Sequence, residues 1–179
     1  MNAKKCLFSG FGGQGILFAG KFVAYKGLME DKNVSWLPSY GPEMRGGTAS
    51  CGVIISDDAV GSPIVSNPNI LIAMNLPSLD KYEDSVEAGG FIFADSALIE
   101  RKVKRDDVTV FYVPATKLAL DNQIPTLANM IIVGKMLKEL GEFDEAAIEN
   151  TLKKVISAKR ADMLEANLKA MRIGAEFNS

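Results

Sequence analysis

Lys5-Cys6-Leu7-Phe8-Ser9-Gly10-Phe11-Gly12-Gly13-Gln14-Gly15-Ile16 decides the reading of this chain. A short apolar run ends in a glycine turn, after which Ile16, Ala19, Val23 and Gly27 recur on one face at helical spacing. The segment reads as a strand, a turn and a helix. Gly10, Gly12 and Gly15 satisfy G-x-G-x-x-G in the context where backbone N–H groups and a helix N-terminus can meet a phosphate or pyrophosphate. Three readings stand open: a dinucleotide site, a site for another phosphate-bearing or anionic ligand, or glycines that only pack helix against strand. A dinucleotide also calls for an acid at the end of the second strand to hold the ribose hydroxyls. Glu30 and Asp31 instead precede that strand, and its far end reads Tyr40-Gly41-Pro42. The Gln14 amide is suited equally to a ligand and to a neighbouring loop.

Moving outward, Asn33 to Leu37 is a second short strand, and Ala49–Ser56 and Ala59–Ser66 flank Asp57-Asp58 as an antiparallel hairpin. Asn69 to Met74 is a continuous apolar run of the kind buried on both faces, followed by a helix from Ser78 to Ala88 that Gly89-Gly90 ends. Phe91 to Ala94 and Val108 to Val113 repeat the strand pattern, with the charged stretch Glu100–Asp107 between them as a solvated turn. From Pro114 the pattern is helical: a short helix near Leu118, a long one from Thr126 to Leu140 stopped by Gly141, and two more carrying Ile148, Leu152 and Val155, then Leu164, Leu168 and Met171. The expectation is a single domain over residues 1–179. It is a three-layer α/β/α fold with a mixed, mostly parallel sheet, a Rossmann-like N-terminal half and a helical C-terminal third.

Between Ser39 and Thr48 the chain reads Ser-Tyr-Gly-Pro-Glu-Met-Arg-Gly-Gly-Thr, neither helix nor central strand. Gly41, Gly46 and Gly47 permit close backbone approach, Pro42 fixes its own φ, and Glu43 and Arg45 are charges on that frame. In a doubly wound sheet this loop and the Gly10 turn leave neighbouring strands and share a crevice. Arg45 can pair with a carboxylate or phosphate ligand, with a partner chain, or with Glu43.

Composition narrows the chemistry. The 179 residues carry a formal charge of -2, which gives no basic field for nucleic acid, and no apolar run approaches the roughly 18 residues of a membrane span. The N-terminus lacks the features of a signal peptide, so the cytoplasm is the expected location. With no histidine, the commonest general base and zinc ligand is missing. Cys6 and Cys51, the only cysteines, cannot by themselves hold an iron–sulfur cluster of the four-cysteine kind and read as buried small hydrophobes. Asn75 and Asn129 read as caps or as partners of buried backbone, and Trp36 as an anchor between core and interface.

Gly10-Phe-Gly-Gly-Gln-Gly15-Ile followed by Tyr40-Gly-Pro-Glu-Met-Arg-Gly-Gly47-Thr resembles the gamma subunit of the 2-oxoacid:ferredoxin oxidoreductases. The likeness continues through Ser62-Pro63-Ile64, Asn69 to Asn75, and Asn167, Ala170 and Gly174, over nearly the whole chain. It implies membership of a complex that oxidatively decarboxylates a 2-oxoacid, captures the acyl group on coenzyme A and passes electrons to ferredoxin. Thiamine diphosphate, Mg and the iron–sulfur clusters would sit on alpha, beta and ferredoxin-like partner subunits, with coenzyme A at or near this one. The implied ligand-binding residues are Gly10, Gly12, Gly13, Gln14 and Gly15 at the turn, with Tyr40, Gly41, Pro42, Glu43, Arg45, Gly46 and Gly47 on the adjoining loop. No residue of this chain is expected to be catalytic, and neither nucleic acid nor membrane is an expected partner. The loop's spelling resembles the 2-oxoglutarate members first and the branched-chain members next. The competing functions are a stand-alone Rossmann-type oxidoreductase and a purely structural subunit.

Overall fold

The computed structural model describes residues 3–39 and 48–178. In chain order the elements are β1 (Ala3–Phe11), α1 (Ile16–Met29), β2 (Asn33–Ser39), β3 (Thr48–Ser56), β4 (Ile70–Ala73), α2 (Leu76–Tyr82), β5 (Phe91–Asp95), β6 (Thr109–Val113), α3 (Ala115–Asp121), α4 (Ala128–Glu139), α5 (Glu145–Val155) and α6 (Met163–Glu176). One sheet runs in the order β2-β3-β1-β4-β5-β6. The β1–β4, β4–β5 and β5–β6 pairs are parallel, whereas β3 is antiparallel to both β1 and β2. Only β3 therefore runs against the rest, and the C-terminal ends of the other five strands share one edge of the sheet.

Alternation along the central strands sorts the core into two layers. Cys6, Phe8, Ile70, Ile72 and Phe93 face the helices α1, α3, α4, α5 and α6. Leu7, Leu71, Ala73, Ile92 and Ala94 face the opposite, thinner layer of α2 with Val86 and Ile99. Four buried residues make up β4, as its unbroken apolar run requires of a strand covered on both faces.

Three expectations change. The stretch 59–66 forms no strand, because β1 and β2 already occupy both edges of β3 and leave it no ladder to join. It crosses the sheet irregularly and sets Val65 over Gly52, where an added Cβ would lie 3.1 Å from Val65 Cγ2. The helix expected from Ser78 to Ala88 is shorter and starts earlier, at Leu76 behind the cap of Asn75, and gives way at Glu83–Ser85 to a 3-10 turn. The charged stretch after β5 explains the stop. Arg105 Nη1 donates to the carbonyls of Glu83, Asp84 and Val86 at 3.1, 3.3 and 2.5 Å. Arg101 meanwhile pairs with Asp80 and with the buried Glu83. Half of the supposed solvated turn is thus a clamp on the end of α2.

The helical third is held by a close backbone crossing of α4 and α6. A Cβ on Gly134 would lie 2.1 Å from the Met171 carbonyl oxygen, and one on Gly174 would lie 1.8 Å from that of Ile131. Backbone cannot yield as a flexible side chain does, so Gly174→Ala must separate the helices. It is expected to cost about 3 kcal/mol, the upper range for overpacking, read as a lowered denaturation midpoint with unchanged slope. Cys6 and Cys51 are fully enclosed, and burial pushes both thiols up to about 12. Neither should react with iodoacetamide at pH 8 in the native chain, and both should react once it is unfolded.

Candidate functional site

The site grows from the end of β1. Its antiparallel neighbour sets Ala49 opposite Gly10 and Thr48 opposite Phe11, and its parallel neighbour sets Ala73 opposite Ser9. The chain winds to one side of β1 through β2 and β3 and to the other through β4, β5 and β6. The gap beside β1 is therefore the switch point at which open α/β sheets receive ligands. Ser9, wholly buried, binds the three segments together. Its hydroxyl donates to the Ala49 carbonyl at 3.2 Å and shares a 2.9 Å hydrogen bond with the Ser78 hydroxyl, and its carbonyl accepts from Met74 N–H at 2.9 Å.

Each turn residue has a distinct task. Gly10 is required by packing, since a Cβ there would meet Gln14 Oε1 at 2.6 Å and Met74 Cβ at 2.8 Å. Gln14 is spent on the fold: Oε1 accepts from Phe11 N–H at 2.7 Å, and Nε2 donates to the Met74 carbonyl at 3.1 Å. Its amide thus ties the turn to the residue that follows β4. Gly12 and Gly13 are exposed, and Gly13 has φ of 90° with open space where a Cβ would stand. Gly15, with φ of 72°, is the N-cap of α1, whose first turn holds no acid and receives no side-chain cap. The N–H groups of Gly12, Gly13 and Gly15 make no hydrogen bond among the described residues. Free donors at the uncapped end of a 14-residue helix suit an anion.

Two asparagines complete the rim. Asn75 Oδ1 accepts from Ser78 N–H at 2.9 Å, and Asn129 Nδ2 donates to the Gly15 carbonyl at 2.9 Å, so both do the local work read from the sequence. Each also keeps one buried atom unpartnered among the described residues, Asn75 Nδ2 and Asn129 Oδ1. Further along the same edge, Asp95 accepts from Ala97 N–H and from the Thr116 backbone and hydroxyl, joining the end of β5 to the start of α3. Burial raises its carboxyl above the usual aspartate range, against the pull of those hydrogen bonds.

Tyr40, Gly41, Pro42, Glu43, Arg45, Gly46 and Gly47 lie outside the described residues. Their anchors do not. Ser39 closes β2 opposite Ser50, and Thr48 opens β3 opposite Phe11. The expectation that β1 and β2 are neighbours is corrected, because β3 lies between them. The segment after Ser39 nevertheless leaves from the edge that carries the glycine turn and rejoins the sheet beside it.

A second crevice, of about 590 Å³, lies at the opposite edge around Ala3, Ser56 and Gly141. Its charges largely cancel, with Lys4 on Glu142, Lys26 on Glu30 and Lys32 on Asp57. Among the described residues no group of three His, Cys, Asp or Glu side chains is placed to hold a metal, and no helix is long and apolar enough to cross a membrane.

The turn separates two costs. Gly13→Ala introduces only the left-handed backbone penalty, about 1–2 kcal/mol. Gly15→Ala adds a Cβ 2.4 Å from Asn129 Nδ2, displacing the bond that holds α4 to the turn. It should cost about 3 kcal/mol in all, overpacking included, as measured by denaturant unfolding of both variants.

Comparison with known proteins agrees with this architecture. The model of the pyruvate ferredoxin/flavodoxin oxidoreductase family matches residues 5–177. The ketoisovalerate oxidoreductase subunit VorA of Methanothermobacter thermautotrophicus is 39% identical over 94% of this chain, which spans only 35% of that protein. The 2-oxoglutarate synthase subunit KorC of Methanocaldococcus jannaschii is 32% identical over 97% of this chain and 92% of its own length. Among solved structures, the gamma subunit of a keto/oxoacid ferredoxin oxidoreductase from Geobacter sulfurreducens PCA superposes with a TM-score of 0.81 at 28% identity, covering 97% of this chain and 96% of that one. The 2-oxoglutarate:ferredoxin oxidoreductase of Magnetococcus marinus, solved with 2-oxoglutarate, coenzyme A and succinyl-CoA bound, shares the fold with a TM-score of 0.86 at 21% identity, over all of this chain and 32% of that one. A match running from Lys5, inside β1, to Phe177, just past α6, leaves one conclusion: the chain belongs to the pyruvate ferredoxin/flavodoxin oxidoreductase family.

Proposed function

We propose that this chain is the gamma-type subunit of a cytoplasmic 2-oxoacid:ferredoxin oxidoreductase and that its share of the reaction is to hold coenzyme A and close the active site. The observation that carries this is the row of free N–H groups at Gly12, Gly13 and Gly15, set at the uncapped start of α1 on the ligand-receiving edge of the sheet. They suit the phosphates of coenzyme A, which the Magnetococcus marinus relative binds. Gly10 and Gln14 shape the turn, and Tyr40, Glu43 and Arg45 contribute from the adjoining segment, Arg45 as a bidentate partner for phosphate.

Thiamine diphosphate with Mg would sit on the alpha and beta subunits and supply the decarboxylation chemistry there, and iron–sulfur clusters on the ferredoxin-like partner would supply the path for electrons to ferredoxin. This chain's residues bind and orient. The absence of histidine and the use of the site's amides in packing both fit a subunit that moves no proton itself. The 2-oxoacid favoured is 2-oxoglutarate, on the spelling of the 40–48 segment and on the KorC likeness over nearly the whole of both chains. The higher identity to VorA makes ketoisovalerate the second reading.

The complex co-purified from its source should contain thiamine-binding and cluster-bearing subunits and turn over 2-oxoglutarate with the highest kcat/KM among a panel of 2-oxoacids. Preference for ketoisovalerate would instead favour the second reading. Arg45→Ala should raise KM for coenzyme A about tenfold, the loss of roughly 1.4 kcal/mol of charge-assisted bonding, with little change in kcat. An unaltered dependence on coenzyme A would remove Arg45 from the site.

A further inference from the structure

β2 ends the sheet on one side and β6 on the other, so each carries a row of backbone N–H and C=O groups with no strand beside it among the described residues. The two edges are guarded unequally. β6 has five residues, and cations lie over its aromatic rings, Lys102 Nζ 4.0 Å from the Tyr112 centroid and Lys135 Nζ 5.4 Å from that of Phe111. β2 has seven, Asn-Val-Ser-Trp-Leu-Pro-Ser, and none is charged. Pro38 is its one guard, and an uncharged open strand of that length is a pairing site unless something covers it.

Apolar surface flanks this edge on both faces. Trp36 lies on the α1 face, over Gly20, and its indole N–H bonds to Cys51 Sγ, so the part of the ring left open is apolar. Alternation turns Leu37 to the other face, where the 57–69 segment sets Val65 over the paired Gly52 and carries Ile64 next to it. On α1, Ala19, Phe22 and Val23 turn to the core, and Lys21, Tyr25 and Leu28, spaced four and three apart, occupy the flank beside β2. Tyr25, Leu28, Trp36, Leu37 and Ile64 are between 36% and 64% exposed, half of the large apolar side chains left open among the described residues. Together they offer on the order of 400 Å², about half of one side of a stable interface. Lys21 Nζ stands 5.8 Å from the Tyr25 centroid and has no ion pair among the described residues.

We propose that the outer edge of β2 and its apolar flanks are the docking site for the polypeptide that corresponds to the rest of VorA, the part of that protein outside the matched domain. In VorA and in the Magnetococcus marinus chain this domain makes up only 35% and 32% of the length. There its neighbour is tethered; as a separate subunit, this chain must hold the same neighbour by contact alone. The inference rests on the reading of the chain as one subunit of a complex and adds the surface by which it is held. The occupant extends the sheet with a strand, packs apolar side chains on both faces and offers a carboxylate to Lys21. A second copy fits poorly. A two-fold contact centred on Trp36 would twice set Pro38, which has no N–H, opposite the Val34 carbonyl, and would bring Lys21 towards its own copy. Docking at this side also leaves the C-terminal edge of the sheet clear.

Trp36 is the only tryptophan, so labelling the chain with 5-fluorotryptophan gives a single fluorine resonance that reports on this edge. On assembly with the subunit that matches the rest of VorA, the resonance should shift and lose its response to exchanging H2O for D2O, whereas the lone chain should sediment as a monomer. Leu37→Asp should weaken assembly at least about tenfold, and Leu120→Asp, on the exposed side of α3, should not. Both side chains are exposed, so both variants should keep the unfolding midpoint of the unaltered chain. A complex in which Trp36 stays open to solvent, equal effects of the two substitutions, or a lone chain already dimeric with Trp36 shielded overturns the docking site and leaves the subunit reading intact. A chain that does not assemble with that subunit at all overturns both.

Discussion

Everything at the candidate site depends on the seating of β1 between one antiparallel and one parallel neighbour. The antiparallel ladder delivers Thr48 to Phe11, and the parallel ladder delivers Ala73 and Met74 to Ser9. One strand end thus gathers segments roughly 40 and 65 residues distant, and the buried Ser9 hydroxyl bonds to both sides at once. The glycine turn can leave its N–H groups free because the frame around it is complete without them. Gln14 braces the turn from one side through the Met74 carbonyl, and Asn129 from the other through the Gly15 carbonyl, which also accepts from Ala19 N–H.

The same economy explains the buried amides. Asn75, Asn129 and Asn167 each use half of the side-chain amide to secure backbone and keep half in reserve. A buried polar atom without a partner costs free energy. In this chain Asn75 and Asn129 stand at the rim of the glycine turn and Asn167 lines the crevice of about 520 Å³ beside it, whereas the charges at the opposite edge are paired with one another. The contrast between a satisfied edge and an unsatisfied one distinguishes the two crevices more sharply than their similar sizes.

Much of this was legible in the residues. Periodicity alone placed β1, β4, β5, β6 and the helices from α3 onward, because each is a strongly patterned run bounded by glycine, proline or a cap. What failed were readings that depended on which edge a strand finds. β3 carries the same alternation whether it pairs forward with 59–66 or backward with β1 and β2, so local pattern could not choose. The roles of Arg101 and Arg105 were hidden for a related reason, since charge spacing suggests solvent until folding brings the carbonyls of Glu83 to Val86 alongside. Gln14 and Asn129 were identified as polar residues worth watching. Their partners, 60 and 114 residues away, are products of topology.

The account makes the C-terminal edge of the sheet the working edge of the molecule, and hydrogen–deuterium exchange of the assembled complex tests that most directly. With coenzyme A added, exchange should slow at Gly12–Leu17 and Asn75–Leu79 and stay unchanged at Ser56–Asp57 and Gly141–Asp144. Protection confined to the second pair of segments, or absent from both, would contradict it.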